Sequence, residues 1–218
     1  MKTNINEVFN RIKWLIIPYL LILCICLVIK LTCSRETIYF TVNGLHAPIY
    51  DWMAPYVTDL GNGWTAIVIA IILTLFSYRK AFMVASAYAV TSITAQIFKY
   101  IFDAPRPKLY FKEQLSRMYF VKGVDVLSTH SFPSGHTVTA FSLAVLFTYW
   151  SKNKAWGPLF LLLAILVGYS RMYLSEHFFE DVTAGSVIGT FVTVIWLYWL
   201  DNKTFINRPK WQKGLLVK

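Results

Sequence analysis

Charge is scarce in this chain. Of 218 residues only 15% are Asp, Glu, Lys or Arg, and the acidic ones number 11. A soluble domain of that length needs more polar surface than this, so the composition argues against one. The shortage of carboxylates also leaves little with which to ligate a metal. No cluster of carboxylates and histidines has metal-ligand character, and no metal or other cofactor is expected. Cysteine is rarer still. Cys24, Cys26 and Cys33 are too few for a disulfide framework, and the first two sit in an apolar run where they serve as small hydrophobes. Internal repeats and low-complexity tracts are missing too, so a single domain over residues 1–218 is expected.

Apolar and aromatic residues fill the space that charge leaves. The chain is 56% hydrophobic and 17% aromatic, with a mean hydropathy of +0.51. That content excludes a solvated disordered ensemble and points to an integral membrane protein. The net charge of +10 does not imply a nucleic-acid partner, because the 21 Lys and Arg are spread between apolar runs instead of gathered on one face. It reads as membrane topology plus an anionic ligand. The run 14–29 follows Lys2, Arg11 and Lys13 as in a signal peptide, yet no small-residue cleavage site follows, which predicts a retained first helix.

Cutting the chain at its charges gives six uncharged runs: 14–29, 60–78, 81–98, 126–151, 155–170 and 182–200. About 20 apolar residues carry a helix across roughly 30 Å of hydrocarbon, and Lys or Arg at the run ends snorkel to extend shorter ones. The expected fold class is all-α, a polytopic membrane protein with six transmembrane helices. With the N-terminus inside, the inner segments hold twelve of the 21 cations, and the outer nine include a cluster from Lys99 to Lys122 plus Arg171. If three outer cations serve a ligand, the bias places both termini in the cytoplasm. Ser131 and Ser175 then lie outside, with position 131 open to an impermeant thiol reagent. In the outer segment 99–133, Phe111, Leu115, Met118 and Tyr119 fall at helical spacing opposite Lys112, Glu113, Gln114 and Arg117. This predicts an interfacial helix lying flat on the membrane surface.

Three short stretches carry chemistry. In the first, residues 99–107, Lys99 closes the third run, and Pro105 and Pro107 stiffen the backbone around Arg106, a guanidinium able to bind phosphate bidentately. The second is Phe132-Pro133-Ser134-Gly135-His136-Thr137 before the fourth helix. A turn and N-cap would account for Pro-Ser-Gly alone. The combination offers more: a helix N-terminus with free N–H groups, Gly135 for close approach, the Ser134 hydroxyl and the titratable His136. The third, residues 170–181, joins the fifth helix to the sixth. His177 and Asp181 are four apart, so on a helix the carboxylate can orient the imidazole and stabilise its cation, with Arg171 nearby. Under the six-helix count all three stretches face one side. Ionisable groups at membrane helix ends are costly unless they pair or meet a ligand, so Lys99, Arg106 and Arg171 beside two histidines imply a bound anion.

These stretches fit Lys-x6-Arg-Pro, Pro-Ser-Gly-His and Ser-Arg-x5-His-x3-Asp, in order, and the chain resembles the type 2 phosphatidic acid phosphatase family. The motif core covers residues 99–181. The resemblance implies a metal-independent phosphohydrolase working through a phosphohistidine. His177 would attack phosphorus with Asp181 holding its other nitrogen, and His136 would protonate the leaving oxygen and then activate water. Lys99, Arg106, Ser134, the Gly135 amide and Arg171 would bind the phosphate oxygens. Fixed cations and helix N–H groups suit the charge that a trigonal-bipyramidal phosphoryl group gathers. Ser175 and Glu176 stand where small or neutral residues are common in that family, and Glu176 adds negative charge near the site.

The expected substrate is a lipid phosphate or diphosphate met at the outer membrane–water interface, with the protein in a bacterial inner membrane. Family members hydrolyse undecaprenyl pyrophosphate, phosphatidylglycerol phosphate, phosphatidic acid or lipid A phosphates. Two other readings use the same residues. Vanadate-dependent haloperoxidases have a related fold and a similar anion pocket, but they are soluble and larger. A lipid-binding or transport protein could keep the pocket without turnover, but the presence of both histidines and Asp181 favours catalysis. The oligomeric state is not written in the sequence.

Overall fold

The computed structural model describes residues 4–217, and they are all helix, turn and loop, with no strand among them. The helices are α1 (Ile5–Thr32), α2 (Arg35–Asn43), α3 (Pro48–Asp59), α4 (Gly63–Thr74), α5 (Tyr78–Phe102), α6 (Pro107–Tyr110), α7 (Gly135–Trp150), α8 (Trp156–Tyr173), α9 (Phe179–Asp201) and α10 (Pro209–Gln212). Their starts are written in the sequence. Asn4, Ser34, Asn62, Ser77 and Ser134 cap α1, α2, α4, α5 and α7 through their side-chain oxygens, and Pro48 opens α3.

Each of the six apolar runs becomes a helix, though not each a full-length span. By length and composition α1, the stretch Tyr78–Tyr110 that joins α5 to α6, α8 and α9 can cross a membrane. Helices α3 and α4 form a pair bent by 52° that counts as a fifth if it is one broken span. The run 126–151 gives only the 16 residues of α7, because residues 126–134 stay non-helical up to the Pro133–Ser134 cap. Those residues instead bring backbone carbonyls to the basic side chains described below.

Helix α7 is the axis of the bundle. It packs on α8, α9, α5 and α1, and residues from Thr137 to Tyr149 line the core on every side. Apolar exposure on the outer helices is large, as expected where lipid replaces water: Leu21, Leu31 and Ile195 are all more than 60% exposed. Helices α7 and α9 meet through small residues. A Cβ on Gly185 would lie 2.7 Å from the Ser134 carbonyl oxygen, and one on Gly189 2.4 Å from that of Val138, a close approach that only glycine permits. The far ends of α5, α7 and α9 are tied by Asp201, which pairs with Arg79 at 2.7 Å and accepts from the Tyr149 hydroxyl.

Residues 35–59 form α2 and α3. The segment 99–133 differs from expectation. The stretch around 111–119 is no flat amphipathic α-helix: after the single turn of α6 it continues as a 3-10 turn, Lys112–Arg117, with Gln114 outside helical geometry. Phe111 and Met118 are buried against Tyr39 and Phe178, while Leu115 is 43% exposed. Aromatic surface offered by α2 and by the α8–α9 junction captures Phe111 and Met118, which pack on protein as an aromatic roof.

Candidate active site

The α8–α9 junction is built for a reversal. Leu174 ends α8, and Ser175 takes a left-handed conformation at φ 60°. Its hydroxyl is held by Tyr39 at 2.8 Å and by the Asn43 amide at 3.1 Å, contacts that fix an otherwise unfavourable backbone state. The reversal turns Glu176 and His177 inward, where they are 4% and 1% exposed.

His177 Nδ1 lies 3.5 Å from Asp181 Oδ2. That carboxylate oxygen also accepts from the Ser131 hydroxyl at 2.5 Å and from the Phe178 amide at 2.8 Å, so three partners fix one carboxylate in place. On the other side of the ring, Arg106 Nη1 approaches His177 Nε2 at 3.4 Å. A guanidinium only donates, so this approach suits the tautomer with its lone pair on Nε2 and its proton on Nδ1. Burial, foremost, and then the charges of Arg106, Arg171 and Lys99 and the neighbouring His136 hold the His177 pKa well below 6.5. A pKa held that low favours the neutral imidazole, for which the Asp181 carboxylate is placed to orient the ring.

Both phosphate-type arginines are buried, at 6% and 7% exposure. Asp103 closes α5 in the left-handed region at φ 35°, and the chain then bends through Pro105 to Arg106. There the Arg106 amide donates to the Ser128 carbonyl at 2.8 Å and Nε to that of Thr129 at 2.9 Å. Arg171, in the last turn of α8, donates to the Thr58 hydroxyl at 3.0 Å. The Glu176 carboxylate bridges the two guanidiniums, bonding Arg106 Nη1 and lying 3.4 Å from Arg171 Nη2. Arg171 Nε is buried with no hydrogen-bond partner among the described residues.

Lys99, half-buried, donates to the His130 carbonyl at 2.5 Å. Ser134 is fully buried; its hydroxyl accepts from Thr137 Oγ1 at 2.9 Å, and its amide donates to the Asp181 carbonyl at 3.0 Å. Acceptance leaves the Ser134 proton free to donate. A Cβ built on Gly135 would meet nothing within 4 Å, so the N-terminus of α7 has open space beside it.

The structure thus brings Arg106, Arg171, His177 and Asp181 into one contact network, with His136 and Lys99 close enough to influence His177. Sequence reasoning missed Ser131 and Thr58, and it counted Glu176 as nearby charge without seeing it between the arginines. Ser131 directly precedes the Phe-Pro-Ser-Gly-His stretch, and that position was its only signal. It is 0% exposed and bonded to Asp181, so it is not open to an outer reagent; Ser175 is equally buried.

A buried imidazole and carboxylate beside two buried arginines, at one end of a helical bundle, suit phosphoryl transfer. The chain belongs to the PAP2 superfamily, whose family model matches residues 80–205, and it is a phosphatase of that family. It is 27% identical to the lipid A 4'-phosphatase of Porphyromonas gingivalis over 75% of this chain and 73% of that protein. It is 23% identical to the undecaprenyl-diphosphatase of Sulfolobus acidocaldarius over 84% and 88% of the two chains. The crystal structure of Aquifex aeolicus LpxE superposes with a TM-score of 0.65 at 27% identity, covering 74% of this chain and 93% of that one.

Proposed function

We propose that the protein removes phosphate from a lipid phosphate or lipid diphosphate through a phosphohistidine on His177. The observation that carries this reading is the setting of the His177 ring, with Nε2 3.4 Å from Arg106 Nη1 and Nδ1 3.5 Å from Asp181 Oδ2. In the first step Nε2 forms a bond to phosphorus as the bond to the lipid oxygen breaks, and His136 gives that oxygen a proton. Arg106, Arg171, Lys99, the Ser134 hydroxyl and the Gly135 amide hold the three equatorial oxygens, where charge gathers. A dianionic phosphate beside His136 supplies the opposite charge that keeps a proton there until it is needed. In the second step His136 takes a proton from water, the oxygen attacks phosphorus, and inorganic phosphate leaves with His177 neutral again.

Glu176 must release the arginines as phosphate arrives. The carboxylate keeps two buried cations paired between turnovers, and its departure exposes the cradle only to an anion able to replace it.

The same reading covers the setting. Six helices span a bacterial inner membrane, with α7 enclosed by the others and α3–α4 serving as one broken span. The reaction centre lies at the outer membrane–water interface and both termini in the cytoplasm. A lipid could then present its headgroup while its chains remain in the bilayer.

Purified protein assayed for phosphate release across lipid A, undecaprenyl diphosphate, phosphatidylglycerol phosphate and phosphatidic acid tests the activity. His177→Ala should abolish turnover, and labelled substrate should leave acid-labile, base-stable label on the wild type alone. Hydrolysis undiminished in His177→Ala would overturn the assignment.

A further inference from the structure

Small residues on α4 and α5 leave a gap that no described side chain fills. Ala66 and Ala70 on one helix and Ala81 and Ala85 on the other, each pair four apart on one face, line a cavity of about 740 Å³. Ile67 and Ile71, which also line it, are exposed, so the cavity opens sideways toward hydrocarbon.

One end of the cavity is charged. Lys210 and Trp211 close it beside Tyr78, at the end of the bundle away from the reaction centre. From Tyr78 to Lys99 along α5 is about 30 Å at the helical rise. The closure is held by backbone. The Leu215 and Leu216 amides donate to the Thr74 and Leu75 carbonyls at 3.0 and 2.8 Å, and the Tyr78 amide donates to the Lys213 carbonyl at 2.8 Å. The last carbonyls of α4 thus pin the chain end. A Cβ on Gly214 would lie 2.5 Å from the Leu75 carbonyl oxygen, and Trp211 packs on Phe82 with ring centroids 5.3 Å apart.

Residues 202–217 carry Lys203, Arg208, Lys210 and Lys213 and no carboxylate. Lys203 lies over the Trp199 ring. Arg208, Lys210 and Lys213 are exposed and enter no ion pair among the described residues. The nearest carboxylate along the chain, Asp201, is already taken by Arg79 and Tyr149. The cavity mouth therefore has positive charge with nothing to offset it.

We propose that this cavity binds an anionic phospholipid as a resident and not as a substrate, with one acyl chain between α4 and α5 and the headgroup phosphate on Lys210, Lys213 standing beside it. Cations at helix ends orient a chain in the bilayer, and topology alone accounts for their number. It does not account for a Lys and a Trp fixed by the pinned chain end at the mouth of an apolar cavity, an arrangement that suits an acidic headgroup with its chain. A zwitterionic lipid would bring its own cation toward Lys210. A second copy of this chain, meeting the same surface across a two-fold axis, would set unpaired cations against each other.

The probe is phosphatidylglycerol, compared with phosphatidylcholine of the same chains. Each is titrated into the full chain in mild detergent, and bound lipid is read by native mass spectrometry. Phosphatidylglycerol should bind more tightly. Lys210→Gln and Lys213→Gln, both at exposed positions, should each weaken it about fivefold and leave phosphatidylcholine unchanged. Ala70→Leu, which narrows the cavity, should weaken phosphatidylglycerol as well; should that variant fold poorly, the two lysine variants decide. Equal affinity for the two lipids, or indifference to the lysine variants, would overturn the site. Displacement by glycerol phosphate at the lipid's own affinity would make it a site for a free anion, and displacement by excess orthovanadate would put the lipid in the reaction centre; either overturns the proposal. Dimers that persist without lipid and dissociate in Ala70→Leu would give the cavity to a second copy and overturn it too.

Discussion

Glu176 is the residue whose chemistry departs most from its neighbours in sequence. It is a carboxylate set among groups that bind anions, and it occupies the two guanidiniums that phosphate would take. Replacing it with Gln keeps the shape and removes the competing charge. Glu176→Gln should therefore tighten inhibition by orthovanadate on the order of tenfold, the scale of ~1.4 kcal/mol of altered charge interaction, and raise product inhibition by phosphate. Titrating vanadate against both proteins checks this, and weaker binding in the variant would show that Glu176 aligns the arginines without competing. The neutral imidazole of His177 makes a prediction of its own. Protonation would remove the lone pair that attacks, and because its pKa is held well below 6.5, the acid limb of kcat/KM should also fall below 6.5. A limb at 6.5 or above would contradict the buried, cation-flanked environment.

Among the elements, the α7–α9 contact couples packing to chemistry. Gly185 faces Ser134, at the N-terminus of α7, whereas Gly189 faces Val138, one turn deeper. A methyl at either position must push the helices apart by some tenths of an ångström. Gly185→Ala should reduce kcat several-fold by shifting Ser134 and Asp181 relative to each other, and Gly189→Ala should cost more in thermal stability than in activity; paired assays of both properties separate the two. This contact also marks what could be read in the sequence. Hydropathy placed α1, α4, α5, α7, α8 and α9 but not α2 or α3, and motif order grouped Arg106, His136, Arg171 and His177, because both signals are local. The 3-10 turn around Glu113 and the aromatic roof were not legible, since Phe111 and Met118 have the same spacing whether the apolar face meets lipid or Tyr39. The bond from Ser131 to Asp181 spans fifty residues, and no periodicity encodes it.

For the whole molecule, orientation is the property that the charge bias proposes and an experiment decides. Position 131 is too enclosed to report it, so exposed Lys122 and Lys210 serve as labelling sites. In a protein without Cys24, Cys26 and Cys33, an impermeant maleimide applied to intact cells should react with Lys122→Cys and spare Lys210→Cys. The reverse pattern would turn the reaction centre to the cytoplasm. Hydrolysis should also persist in excess EDTA, because the cradle supplies its positive charge from Lys99, Arg106 and Arg171; activity lost on chelation and restored by magnesium would contradict that.

The central place of α7 has a consequence for how the protein is made. Ribosomes deliver α7 before α8 and α9, the helices that will enclose it, and it carries Thr137, Ser142, Thr148 and other hydroxyls that end fully or almost fully buried. Until its later neighbours arrive, those groups face lipid or the insertion machinery. Thr148 meets this interval by bonding back to the Ala144 carbonyl within its own helix at 2.8 Å, whereas Ser142 must wait for Thr193 on α9, 2.7 Å away in the finished fold. Asp181 arrives with α9. If His177 and Asp181 carry the proposed reaction, a nascent chain that has already inserted Arg106 and Arg171 is inert toward lipid until α9 joins the bundle.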